Sequence, residues 1–273
     1  MKLGTAFSWI PAVILAACGG SSDDPRQHIP VDGTAGVCFN PVLYVAGNSF
    51  QTSSLVTYPG LGTAQLGNST RIDGPSTFNE TLVTKTSEVE TSTPDPALVA
   101  IGSPAYTRPV SHYFLSDDAT PSLKLYGEES TSGAAMDPRI EYTFKITNTP
   151  YIETRFNLVP GQKFIQSYEQ DTVIQQQPDG TSVTRKETYT KEILFSGVEA
   201  VTVPAGTFQA CKFVETGAVT SSAASITLPT DTLIKWVGVG NGLPIKSVTV
   251  SGSASPVTVE LTSAAINGAA VTP

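Results

Sequence analysis

The side chains most able to do chemistry in this sequence are few and poorly spaced for it. Histidine occurs twice, at His28 and His112, so a histidine-dependent site has one credible centre: His112, with Asp117 or Asp118 and a serine completing a nucleophilic triad. A lone strand histidine is more often simply a half-exposed polar residue. Gly47-Asn48-Ser49-Phe50-Gln51 starts like a nucleophile elbow, but Gln51 stands where the second glycine must be and no helix signal follows. Gly238-Val239-Gly240-Asn241-Gly242-Leu243 starts like a dinucleotide loop. Leu243 breaks the pattern, and Pro244 forbids the helix whose N-terminus would hold phosphate, so the run reads as a loop between strands. Glu128-Glu129 fall in a Ser/Gly-rich stretch that reads as a solvated loop, and Asp23-Asp24 have no third or fourth ligand nearby. Neither C-x-x-C nor H-E-x-x-H spacing occurs, which leaves zinc, redox dithiol and haem chemistry without support. The expectation is a non-enzymatic protein with no cofactor and no metal.

Charge is also sparse. It makes up 15% of 273 residues, where ordinary soluble domains carry about a quarter, and Ser and Thr fill the difference. That composition excludes a disordered polyelectrolyte, a coiled coil and a disulfide-dense miniprotein. The formal charge is −8 and the pI about 4.8, with no Lys/Arg cluster. Such a surface repels phosphate backbones, and nucleic acid is not an expected partner.

The N-terminus reads as an address. Met1-Lys2 is followed by a mostly apolar stretch from Leu3 to Leu15 and by Ala16-Ala17-Cys18, the pattern of a secretory signal. The stretch is shorter than the roughly 20 residues a spanning helix needs, and Pro11 interrupts it. Leu15-Ala16-Ala17-Cys18 resembles the bacterial lipobox, which implies cleavage after residue 17 and lipid on Cys18. Gly19, rather than Asp, follows that cysteine, and by the same resemblance this favours the periplasmic side of the outer membrane. Loss of residues 1–17 removes Lys2 and leaves 15 basic against 24 acidic residues. Residues 18–36 then form a flexible tether, without apolar periodicity at its start. With Cys18 lipidated, Cys38 and Cys211 remain: an expected disulfide in an oxidising compartment, or else two buried thiols.

Beyond residue 40 no helical periodicity persists, and Pro or Gly recurs at short intervals. The clearest hairpin joins Lys163–Gln177 to Thr181–Ser196 through Pro178-Asp179-Gly180. Val183, Arg185, Glu187, Tyr189, Lys191, Ile193 and Phe195 share one face of its second arm, whose middle reads as solvated and whose Ile193–Phe195 end reads as core. Val198–Val203 and Thr207–Thr216 flank Pro204-Ala205-Gly206. Other expected strands are Val42–Tyr58, Thr77–Thr91, Arg108–Ser116, Ser122–Tyr126, Arg139–Thr147, Asp231–Val237, Leu243–Val250 and Val257–Leu261, with one helical turn near Pro94 and Pro96. The fold expected is mainly β: one antiparallel, strongly curved sheet or incomplete barrel over residues 37–265, followed by a loose tail over 266–273.

The run Val201-Thr202-Val203-Pro204-Ala205-Gly206-Thr207-Phe208-Gln209-Ala210, then Trp236, Gly238-Val239-Gly240 and Ile245-Lys246, resembles a group of uncharacterised bacterial envelope lipoproteins over roughly residues 140–262. Leu158-Val159-Pro160-Gly161-Gln162 looks like the group's approach to its long hairpin. The group is similar in architecture to Lol-type half-barrel carriers, whose concave face holds acyl chains. Two functions are compatible with this. A concave apolar face lined by Phe144, Phe156, Phe164, Tyr168 and Trp236 would bind a hydrophobic ligand or lipid. Alternatively, an envelope structural or adaptor protein would hold a protein partner through a sheet edge or its acidic face.

Overall fold

Alternating β-branched, aromatic and polar residues between closely spaced turns leave the chain little but strand to form. The computed structural model describes residues 33–117, 119–133, 141–177, 179–221, 226–252 and 254–273. Its strands are β1 (Ser49–Tyr58), β2 (Gly62–Phe78), β3 (Thr81–Pro94), β4 (Tyr106–Asp117), β5 (Ser122–Gly133), β6 (Glu141–Glu153), β7 (Lys163–Gln177), β8 (Ser182–Val203), β9 (Gly206–Ser221), β10 (Ile226–Pro229), β11 (Thr232–Gly238), β12 (Pro244–Val250), β13 (Val257–Ile266) and β14 (Ala269–Ala270). One short helix, α1 (Pro96–Ala100), follows β3.

Each strand pairs antiparallel with its sequence neighbour, except that β11 returns to β9 beside β10. The decisive pairing is β13 with β1, from Phe50↔Ile266 to Thr57↔Thr258. It closes twelve strands into a ring, with β10 and β14 as appendages. The incomplete barrel expected from the sequence is therefore corrected to a closed barrel. Long strands carry register shifts at Ile72/Gly74, Tyr113/Phe114 and Phe195/Gly197. Such bulges add bend and twist, and closure removes the two open edges a half-barrel would expose.

One end of the ring is filled by the segment before β1, and part of the other is covered by α1. The segment from Gly33 to Asn48 forms two 3₁₀ turns, Ala35–Cys38 and Pro41–Tyr44, each capped by the side chain before it, Thr34 or Asn40. Phe39, Leu43 and Tyr44 are buried among Phe50, Ile72, Phe114, Ile245, Leu261 and Ile266, which come from strands all around the ring. This segment is a plug. The expected strand Val42–Tyr58 thus begins at Ser49, because an apolar run fits a strand or a buried turn equally well. Cys38 and Cys211 form a disulfide with Cα atoms 6.2 Å apart, locking the plug to β9 within a cluster of Ala35, Ile193, Phe195, Phe213 and Val237. At the far end of β1, Leu98 of α1 packs on Val56 and Ala64. The C-terminal residues, expected to be loose, instead complete β13 and add β14, with the Val271 N–H donating to the Ala264 carbonyl.

Candidate functional site

Strand alternation decides what faces the interior between those two ends. Cross-strand register carries Glu88 and Glu90 of β3 onto the same face as Val110 and Arg108 of β4, and pairs Thr86 with His112 and His112 with Glu128. All of these except Thr86 border a cavity of about 120 Å³, whose wall also includes Asn68 and Lys235 and the apolar Leu66, Val237, Ile245 and Val259. His112 is buried between two carboxylates, its Nε2 3.5 Å from Glu88 and its Nδ1 3.5 Å from Glu128. Burial opposes the imidazolium, but the Glu88 hydrogen bond and the charges of Glu128 and Glu88 outweigh it. The histidine pKa lies above 6.5 as a result. Glu90 accepts from Tyr106 Oη at 2.8 Å and from Arg108 Nε. The Asn68 Oδ1 is buried with no hydrogen-bond partner.

A second charged group sits between the strands that follow. Arg155, at the turn after β6, holds Glu153 with one guanidinium nitrogen and Glu215 of β9 with the other, at 2.7 Å for the latter. Lys235 reaches the same Glu215 at 3.1 Å. Burial pushes the Glu215 carboxyl up, yet the Arg155, Lys235 and Lys191 charges hold it well below the usual carboxylate range. Burial lowers the Lys235 ammonium pKa, only partly offset by Glu215. Beside this group Tyr168 stacks between Tyr151 and Tyr189, with ring centroids 4.0 and 5.3 Å away, and Lys191 lies over the Tyr168 ring. Burial pushes the Tyr168 hydroxyl up to about 12. The interior is thus a set of mutually compensated charges, the arrangement buried ions require.

Several sequence expectations change here. His112 does not meet Asp117, whose carboxylate caps the β4–β5 turn through Ala119 N–H, Thr120 N–H and Thr120 Oγ1. Asp118 lies outside the described residues, as do Cys18, Asp23, Asp24 and His28. Glu128-Glu129 belong to β5 rather than a loop. Glu128 faces His112, while Glu129 pairs with Lys145 at 3.2 Å and accepts from Tyr113 Oη. The 238–243 run is the β11–β12 turn, and Gly240 binds the plug by donating to the Val37 carbonyl and accepting from Asn40 Nδ2. Four of the five aromatics expected to line a concave apolar face have other positions. Phe156 packs on Phe39 and Phe213, Phe164 lies beside the disulfide cluster, Tyr168 is in the tyrosine stack, and Trp236 donates to Glu199 at 2.7 Å under Lys212. Phe144 is half-buried beside Tyr142. None borders the cavity. Sequence reasoning missed Glu88, Glu90, Arg108 and Glu153. A signal for the first three existed: Glu88-x-Glu90 and Arg108-x-Val110-x-His112 put charge at every second position of a strand.

Outside the interior, the β1–β2 turn and α1 form an apolar end of the molecule. Asp95 joins them, its carboxylate accepting from Thr63 N–H at 2.6 Å and from Ala97 and Leu98 N–H at 3.0 Å. Leu61, Val99 and Ile101 are exposed by 53%, 53% and 61% there.

No family model and no curated protein matches the chain. Among solved structures, it is similar to a candidate lipoprotein of Parabacteroides distasonis ATCC 8503, at 13% identity and a TM-score of 0.38 over 88% of this chain and 100% of that one. It is also similar to a candidate exported protein with a YmcC-like fold from Bacteroides fragilis NCTC 9343, at 11% identity and a TM-score of 0.38 over 80% and 95%. Neither alignment is close enough to define the fold or the function of this chain.

Proposed function

We propose that this protein is a non-enzymatic, lipid-anchored component of the bacterial envelope, held through Cys18 on the periplasmic side of the outer membrane, and that it serves as a rigid adaptor for a protein partner. The observation that carries this reading is the filled interior: plug, α1 and compensated charges leave a cavity of only about 120 Å³, with charged and apolar side chains mixed in its wall, where a lipid carrier needs a much larger apolar one. Ring closure leaves little free sheet edge for strand addition, and the exposed Leu61, Val99 and Ile101 at the apolar α1 end support docking of the proposed partner there. A photo-crosslinking residue at Ile101, in cells, is expected to give one discrete protein adduct that Leu61→Asp abolishes. The same residue at Val173, on the wall of β7, is expected to give none. No adduct at Ile101, or equal smears at both positions, would overturn the adaptor reading.

A further inference from the structure

The plug end, like the α1 end, exposes aliphatic side chains, and unlike the α1 end it is where the described chain begins. The plug, residues 33–48, is joined to three neighbouring turns: Ala35 N–H donates to the Leu158 carbonyl, Gly240 N–H to the Val37 carbonyl, and Asn267 Nδ2 to Asn48 Oδ1. Residues 33–48, 156–162, 239–243 and 267–268 contain no Asp, Glu, Lys or Arg. They do expose Val42, Val45, Val159 and Val239, by 40, 52, 46 and 37%. In a chain with 24 acidic and 16 basic residues, the plug and these three turns are uncharged and expose valine.

The chain's path says what covers it. Ala35 is bonded to Leu158, beside Val159, so the described chain begins at this end. Fourteen residues lie between Cys18 and Gly33, a reach of at most about 50 Å when fully extended. A lipid on Cys18 therefore holds the valine end within reach of the bilayer, while β1 carries the chain away from it to the α1 end. Exposed aliphatic side chains on an uncharged base gain by entering the interface between head groups and acyl chains. Acidic Glu80 and Asp117 stand at the neighbouring β2–β3 and β4–β5 turns, so the complementary surface is zwitterionic rather than anionic.

We infer that the plug end is a membrane-docking face, with Val42, Val45, Val159 and Val239 seated in the interface of a zwitterionic lipid surface. The inference rests on the lipid anchor at Cys18. Its test uses the full mature protein, purified from membranes and reconstituted in phosphatidylcholine vesicles with brominated acyl chains, carrying Val159→Trp against Trp236 as a constant background. Emission from the new tryptophan is expected to fall about twofold relative to unbrominated vesicles, as side chains seated about 5–10 Å into the interface would require. Val42→Glu with Val45→Glu is expected to restore emission, and Val173→Trp should show no quenching. Protein that fails to float with the vesicles overturns the anchor and the docking face with it. Protein that floats with Val159→Trp unquenched overturns the docking face alone. A tryptophan shielded from acrylamide yet unquenched by lipid also overturns it, since protein would then cover the face.

Discussion

Arg155 carries the heaviest electrostatic role of any single side chain in the barrel, since it neutralises Glu153 and Glu215 together. Burial works against its charge, but the two carboxylates keep its pKa above the usual guanidinium range. Arg155→Met leaves both acids buried with less compensation and is expected to cost about 3–5 kcal/mol in denaturant unfolding. A variant as stable as the parent would show that Lys235 and Lys191 suffice. His112 makes a different prediction. Its folded pKa is raised above 6.5, so the native state keeps a proton that the unfolded chain has released. The stability it contributes is complete below about pH 6.5 and declines as pH rises through the folded value. Thermal unfolding followed from pH 6 to 9 should show that decline in the parent and not in His112→Gln; parallel profiles would refute it. Glu88, Glu128 and Arg108 are the charged neighbours that set this behaviour.

Among the elements, the plug and its disulfide matter most, because they turn a ring of strands into a filled body. The 173-residue separation of Cys38 and Cys211 makes the bond effective against the unfolded chain. Cys38→Ser with Cys211→Ser is expected to lower stability by about 2–4 kcal/mol while the strand signature in circular dichroism persists. An unchanged midpoint would mean the plug holds by packing alone. The hairpin of β7 and β8 is legible in the sequence because Pro178-Asp179-Gly180 marks its turn and Ile193 and Phe195 mark its buried end. Strand β2 is not legible. Gly62, Gly67, Gly74 and Pro75 read as loop, and its inward row, Ala64, Leu66, Asn68, Thr70 and Ile72, is interrupted by Asn68 and Thr70 too early to show a clean apolar alternation. The polar middle of β8 reads as solvated because Glu187, Tyr189 and Lys191 share a face with Ile193, and Lys191 there lies over the Tyr168 ring beside the Arg155–Glu215 group. Alternation reports which residues share a face, but it does not distinguish a wet outside from a charged inside.

At the scale of the whole molecule, closure separates this protein from the half-barrel the sequence resemblance implied. A half-barrel offers a concave apolar face, whereas this ring, plugged by residues 33–48 and capped by α1, offers two ends and a filled interior. In the proposed function the two ends have different duties: the exposed valines of the plug end face the bilayer, and Leu61, Val99 and Ile101 at the α1 end face a partner. Whether the interior is filled by the protein itself is decided by mass spectrometry of organic extracts from the detergent-purified protein, with the covalent anchor excluded by size. A self-filled barrel gives no lipid or fatty acid above trace in the extract and no binding of a fluorescent fatty-acid probe. About one equivalent of a single lipid per protein, released only on unfolding, would contradict it and restore the carrier reading.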